Sequence, residues 1–130
     1  MGNTLIIKGR IPSKKNSRIT TRTGRSFPSK NYTEWHKEAS YQLLQQNTLK
    51  TQFWGLQGHL SLVFFMPDNR KADLTNKTES LMDLLVDNGW LKDDSWQIVP
   101  MIILECAGVD NKNPRCEVSI IPTQTGHVQN

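Results

Sequence analysis

Acidic side chains are absent from the first 33 residues of this 130-residue chain and then crowd together between Asp68 and Asp94, although the net charge is +4. Carboxylates gathered at one place repel one another unless a cation lies between them. The stretch KADLTNKTESLMDLLVDNGWLKDD has the spacing for such a gathering. At about 100° per residue, Thr75, Glu79 and Asp83 fall on adjoining turns along one flank of a helix. Leu74, Leu81, Met82, Leu84 and Leu85 make the apolar stripe beside that flank. Asp73 stands at the helix start. Asp93 and Asp94 follow its end, in a loop that must fold back if the next apolar segment joins a sheet. Three or more carboxylates then converge, and Mg²⁺, a hard cation that prefers oxygen ligands, is the natural occupant. Such a metal lowers the pKa of a bound water, orients it for in-line attack and neutralises charge on a phosphodiester in its transition state.

The other half of the chain supplies the opposite charge. Lys8, Arg10, Lys14, Lys15, Arg18, Arg22, Arg25 and Lys30 all precede the first acid, Glu34. A basic block interrupted by Gly and Ser can follow a phosphate backbone through Coulomb attraction and counterion release. Acids that gather a metal, joined to a segment that attracts phosphate, spell phosphodiester hydrolysis. Each group also has a plainer role. Asp73 can serve only as a helix cap, Glu79 as the return half of a capping box with Asn76, and Asp83 with Asp87 as a solvated helix face. Asp93-Asp94 can be a turn, and residues 8–30 a solvated basic loop. The pattern alone leaves these alternatives open.

Other chemistries lack their residues. His36, His59 and His127 have no metal-ligand spacing, and there is no P-loop, GxGxxG or GxSxG motif. Cys106 and Cys116 form no CxxC and read as reduced residues on strands. No apolar run is long enough to span a bilayer and the start, MGNTLIIKGR, is not a signal peptide, so a soluble cytoplasmic protein is expected.

The elements that must position these residues fit one domain. Thr4 to Lys8 reads as a strand closed by Gly9, and residues 10 to 30 as a long loop. Asn31 and Glu34 have the form of a capping box, with Tyr32, Trp35, Ala39 and Leu43 at helical spacing up to about Asn47. Strands are expected at 59–66, 96–107 and 116–121, the last two joined by GVDNKNPR. The sum is an α+β domain over residues 1–122, one mixed or antiparallel sheet carrying two helices, and a polar tail at 123–130.

DLTN followed by LMDLLVDNGWLKDD resembles the signature of the RusA family of Holliday junction resolvases, in which a D-x-D-N stretch opens a helix that ends near a D-D pair. Asp73, Asn76 and Asp94 match its first aspartate, its asparagine and the second aspartate of its later pair. IPSKKNSR, residues 11–18, is similar to the family's early basic segment. The resemblance implies a homodimeric, Mg²⁺-dependent endonuclease, with Mn²⁺ able to substitute, that binds four-way DNA junctions and nicks them symmetrically during recombination and repair. Two positions depart from it: Thr75 replaces the second aspartate, and Glu79 replaces a lysine. One exchange restores the charge inventory, with Glu79 giving the missing carboxylate and Lys77 the missing cation. The expected metal ligands are therefore Asp73, Glu79 and Asp94 with Asp93 in support, and Asp73, Asp94 and Lys77 form the catalytic set. Lys8, Arg10, Lys14, Lys15, Asn16, Arg18, Arg22, Arg25 and Asn76 are expected to contact DNA. The alternative is a branched-DNA-binding protein that kept the fold and lost cleavage through Thr75.

Overall fold

The computed structural model describes residues 4–13, 18–53 and 58–122. The chain runs through β1 (Thr4–Lys8), β2 (Arg18–Thr20), β3 (Ser26–Pro28), α1 (Lys30–Gln45), α2 (Asn47–Phe53), β4 (Gly58–Met66), α3 (Leu74–Asp87), β5 (Met101–Val109) and β6 (Arg115–Pro122). Four strands form one mixed sheet in the order β1-β6-β4-β5, and β2 and β3 form a separate hairpin. Among the described residues only β4 and β5 run parallel, which is the pairing that α3, lying between them in sequence, makes possible. The expected α+β class and single mixed sheet are thus found. The polar tail expected at 123–130 lies outside the described residues.

Period-two alternation sorts the sheet into two faces. Leu5, Val118 and Leu62 lie side by side across three strands, as do Ile7, Cys116 and Phe64, and all six are buried. Ala39 and Leu43 of α1 and Leu81, Met82, Leu84 and Leu85 of α3 belong to the same core, so both helices contribute to one apolar layer with that face. Cys116 is buried in it, and burial pushes its thiol up to about 12, which leaves it inert. Both cysteines are free, as expected.

Some boundaries differ from expectation. The cap of α1 is Ser29, whose hydroxyl accepts from the Tyr32 N–H at 3.1 Å, so Asn31 and Glu34 lie inside the helix. Ser29 is itself extended, at φ −68° and ψ 161°, the non-helical backbone that an N-cap takes. Segment 10–30 holds the β2–β3 hairpin rather than a structureless loop. The strand expected from Trp96 begins only at Met101, because the Ser95 carbonyl accepts from the N–H groups of Ile98 and Val99 and turns the backbone there. The short helix α2 was not expected.

Candidate active site

Helix α3 is built to hold its first turn in place. Asp73 is its N-cap, and Oδ1 accepts from the Thr75 N–H at 3.0 Å and from the Thr75 hydroxyl at 2.6 Å. Oδ2 accepts from the Asn76 amide at 3.3 Å. The far end closes as a Schellman motif: Trp90 N–H reaches the Leu85 carbonyl at 2.8 Å and Gly89 N–H the Val86 carbonyl at 3.1 Å. Gly89 sits at φ 74°, the left-handed region that motif requires. Trp90 and Leu91, both buried, anchor the loop that carries Asp93 and Asp94.

Around the start of α3 lies a cleft of about 550 Å³ lined by Arg10, Ser13, Lys71, Asp73, Asn76 and Lys77. Three cations and the positive end of a helix make it a place for a phosphate. Lys77 is buried, and its ammonium donates to the Ile11 carbonyl. Burial lowers its pKa first, the Arg10 charge adds to that, and Asp68 opposes it. Ser80 Oγ donates to the Pro12 carbonyl at 2.7 Å, so two side chains of α3 fasten the strand-exit segment that carries Arg10. Arg10 itself pairs with Asp68, which also accepts from the Arg70 backbone N–H at 3.0 Å and from its guanidinium at 3.2 Å. The Arg70 backbone bond and then the Arg10 guanidinium hold the Asp68 carboxyl at about 2, well below its ordinary value.

A second cleft, of about 410 Å³, is lined by Thr78, Glu79, Met82, Asp83, Asp94 and Ile102. Glu79 and Asp94 line this cleft together without Asp73, the third acid expected with them, and Asp83 joins them, accepting a hydrogen bond from the Tyr32 hydroxyl at 3.0 Å. Asp73 lines the first cleft and not this one. Asp93 is exposed and accepts from the Asp94 N–H at 2.9 Å, the turn geometry its sequence also allowed. Among the described residues no three acids, histidines or cysteines stand close enough together to hold a metal ion. The donors are nonetheless all carboxylate oxygens, which suits a hard dication held by one or two acids with substrate phosphate completing the shell.

Of the residues expected to meet DNA, Lys8 ends β1 and is exposed, and Arg22 and Arg25 are exposed at the turn of the β2–β3 hairpin. Arg18 opens β2, and Asn76 is tied to Asp73. Lys14, Lys15 and Asn16 lie outside the described residues. Lys71 and Asp68 were missed by sequence reasoning. Lys71, two residues before the capping aspartate, carried a usable signal; Asp68 did not, because its partner Arg10 is 58 positions away.

Residues 9–121 match the family Endodeoxyribonuclease RusA, and with that span the chain belongs to this family. It is a nuclease of the Holliday junction resolvase type, a class of enzymes that hydrolyse DNA phosphodiester bonds, generally depend on a divalent metal and act on branched DNA in recombination. No curated protein matches the chain. None of its helices is long and apolar enough to cross a membrane, among the described residues.

Proposed function

We propose that this protein is a homodimeric, Mg²⁺-dependent resolvase that nicks four-way DNA junctions at symmetric positions during recombination and repair. The observation that carries the reading is the cationic cleft at the start of α3 with a carboxylate in its lining: Arg10, Lys71 and Lys77 with Asp73. In this proposal Arg10 and Lys71 receive a backbone phosphate, Lys77 contributes charge from beneath it, and Asn76 orients Asp73. A metal would be held by one or two acids with substrate phosphate completing its shell, Asp73 at the first cleft or Glu79 with Asp94 at the second, with Asp93 in support, and Mn²⁺ would substitute for Mg²⁺. When bound, it supplies an activated water and neutralises charge on the phosphate. Lys8, Arg10, Arg18, Arg22 and Arg25, with Lys14, Lys15 and Asn16, follow the flanking backbone. A two-fold dimer matches the near two-fold symmetry of a junction.

The test is cleavage of an end-labelled four-way junction against linear duplex of equal length, with Mg²⁺ or EDTA, by the wild-type chain and by Asp73→Asn. Paired symmetric nicks that require both Mg²⁺ and Asp73 are expected. Undiminished cutting by a pure Asp73→Asn preparation would remove Asp73 from the site. One observation favours a second reading, in which the chain binds branched DNA without cutting it. Thr75 stands where a carboxylate is expected and its hydroxyl occupies Asp73 Oδ1 at 2.6 Å. Tight, salt-sensitive junction binding with no product at any divalent ion concentration would establish that reading.

A further inference from the structure

The four-stranded sheet has two unlike edges. On the β1 side, Gln46 Oε1 accepts from the Ile6 N–H at 3.0 Å and its Nε2 donates to the Ile6 carbonyl at 2.8 Å. Gln42 Oε1 accepts from the Lys8 N–H at 2.7 Å. Side chains at the end of α1 thus occupy the backbone groups that a further strand would need. At the opposite side β5 pairs with β4 alone, and among the described residues no hydrogen bond reaches its outer edge. All of β5 except Leu104 is exposed, with Met101 at 46%, Ile102 at 38%, Ile103 at 44% and Val109 at 48%. Its sequence, MIILECAGV, contains no Lys, Arg or Pro and a single charge, Glu105. Those residues are the usual means of blunting a free edge, so β5 has the composition of an interior strand in an edge position.

We propose that β5 is the surface on which a second copy of this chain docks, pairing antiparallel with its own counterpart across a two-fold axis to give one eight-stranded sheet. This rests on the dimer proposed above and assigns it a surface. Charge and symmetry select the occupant. An axis at Ile103 sets Ile103 opposite Ile103, Ile102 opposite Leu104 and Met101 opposite Glu105. Every direct pair then has an apolar member, and the two Glu105 side chains stand about 13 Å apart along the strands. The blocked β1 edge fixes the number of copies: sheet-edge pairing between copies has only the β5 edge to use, and one such contact consumes it in both partners.

Sedimentation equilibrium of the full chain without DNA tests this, with Ile103→Lys as the variant and circular dichroism as the check on its fold. The wild-type chain is expected at twice its 14.9 kDa mass. Ile103→Lys, which sets two like charges face to face at an already exposed position, is expected to weaken dimerisation roughly tenfold or more. A monomeric wild-type chain overturns the assignment together with the dimer beneath it. A dimer that Ile103→Lys leaves equally tight overturns the assignment alone. If the variant does not fold, amide hydrogen exchange on the wild-type chain decides. Exchange within Ile102–Glu105 that slows as the dimer forms supports β5 as the interface, and exchange unchanged while the mass doubles overturns it. None of these readouts depends on cleavage.

Discussion

Asp73 uses both carboxylate oxygens inside its own chain, one toward Thr75 and one toward Asn76. Asparagine caps a helix about as well as aspartate, so Asp73→Asn should change unfolding free energy by no more than about 0.5 kcal/mol in urea titration. The same change should cost cleavage on the order of 10³-fold or more, because metal-derived stabilisation amounts to several kcal/mol. Stability and activity then separate, as they would not for a merely structural cap. Asp68 makes a different prediction. Its carboxyl is held at about 2 against an ordinary 3.8, so its bonds to Arg70 and Arg10 contribute stability in full above 3.8. That contribution is lost as pH falls through 3.8 toward about 2. The melting-temperature difference between wild type and Asp68→Asn should therefore be largest near neutrality, shrink below about pH 3.8 and vanish only below about pH 2. A constant difference across that window would deny the pairing a role in solution.

Helix α3 was the element most fully legible in the sequence. Its cap, its apolar period and its terminal glycine agree with one another, and local signals that agree specify local structure. Gly89→Ala tests the last of these: forcing a Cβ into the left-handed conformation at φ 74° should lower stability by about 1–2 kcal/mol, measured by urea unfolding. The β2–β3 hairpin was illegible because each strand has three residues, too few to establish alternation. Trp96, Ile98 and Val99 read as strand for the opposite reason: they are apolar, but Val99 is buried from a turn while Trp96 is exposed. The site divides in the same way. Asp73, Glu79 and Asp94 were expected at one point, whereas Asp73 lines one cleft and Glu79 and Asp94 another, a separation that depends on how α3 meets the segments around it. For the hairpin, Arg22→Ala and Arg25→Ala should each lower the slope of log K against log salt for junction binding by about 1 if they contact phosphates. An unchanged slope would return that turn to the role of a solvated loop.

As a whole the molecule is a four-stranded sheet with an apolar layer on one face, a separate small hairpin, a cationic cleft at the start of α3, and sheet edges of opposite character. Dimerisation through β5 would join the two active sites through a continuous sheet, so that their spacing is set by hydrogen-bonded strands rather than by a linker. The two glutamines on the other edge then carry a responsibility that has nothing to do with DNA. In that assembly Gln42 and Gln46, bonded to the Ile6 and Lys8 backbone, would be what makes it finite. Replacing both by alanine would leave every copy with two adhesive borders, and pairing at one would no longer exhaust the chain's capacity to pair. Such a protein should grow into fibres, with turbidity and thioflavin fluorescence rising with concentration while the wild type stays clear. A soluble double variant of unchanged mass would show that α1 shields the β1 border by bulk alone.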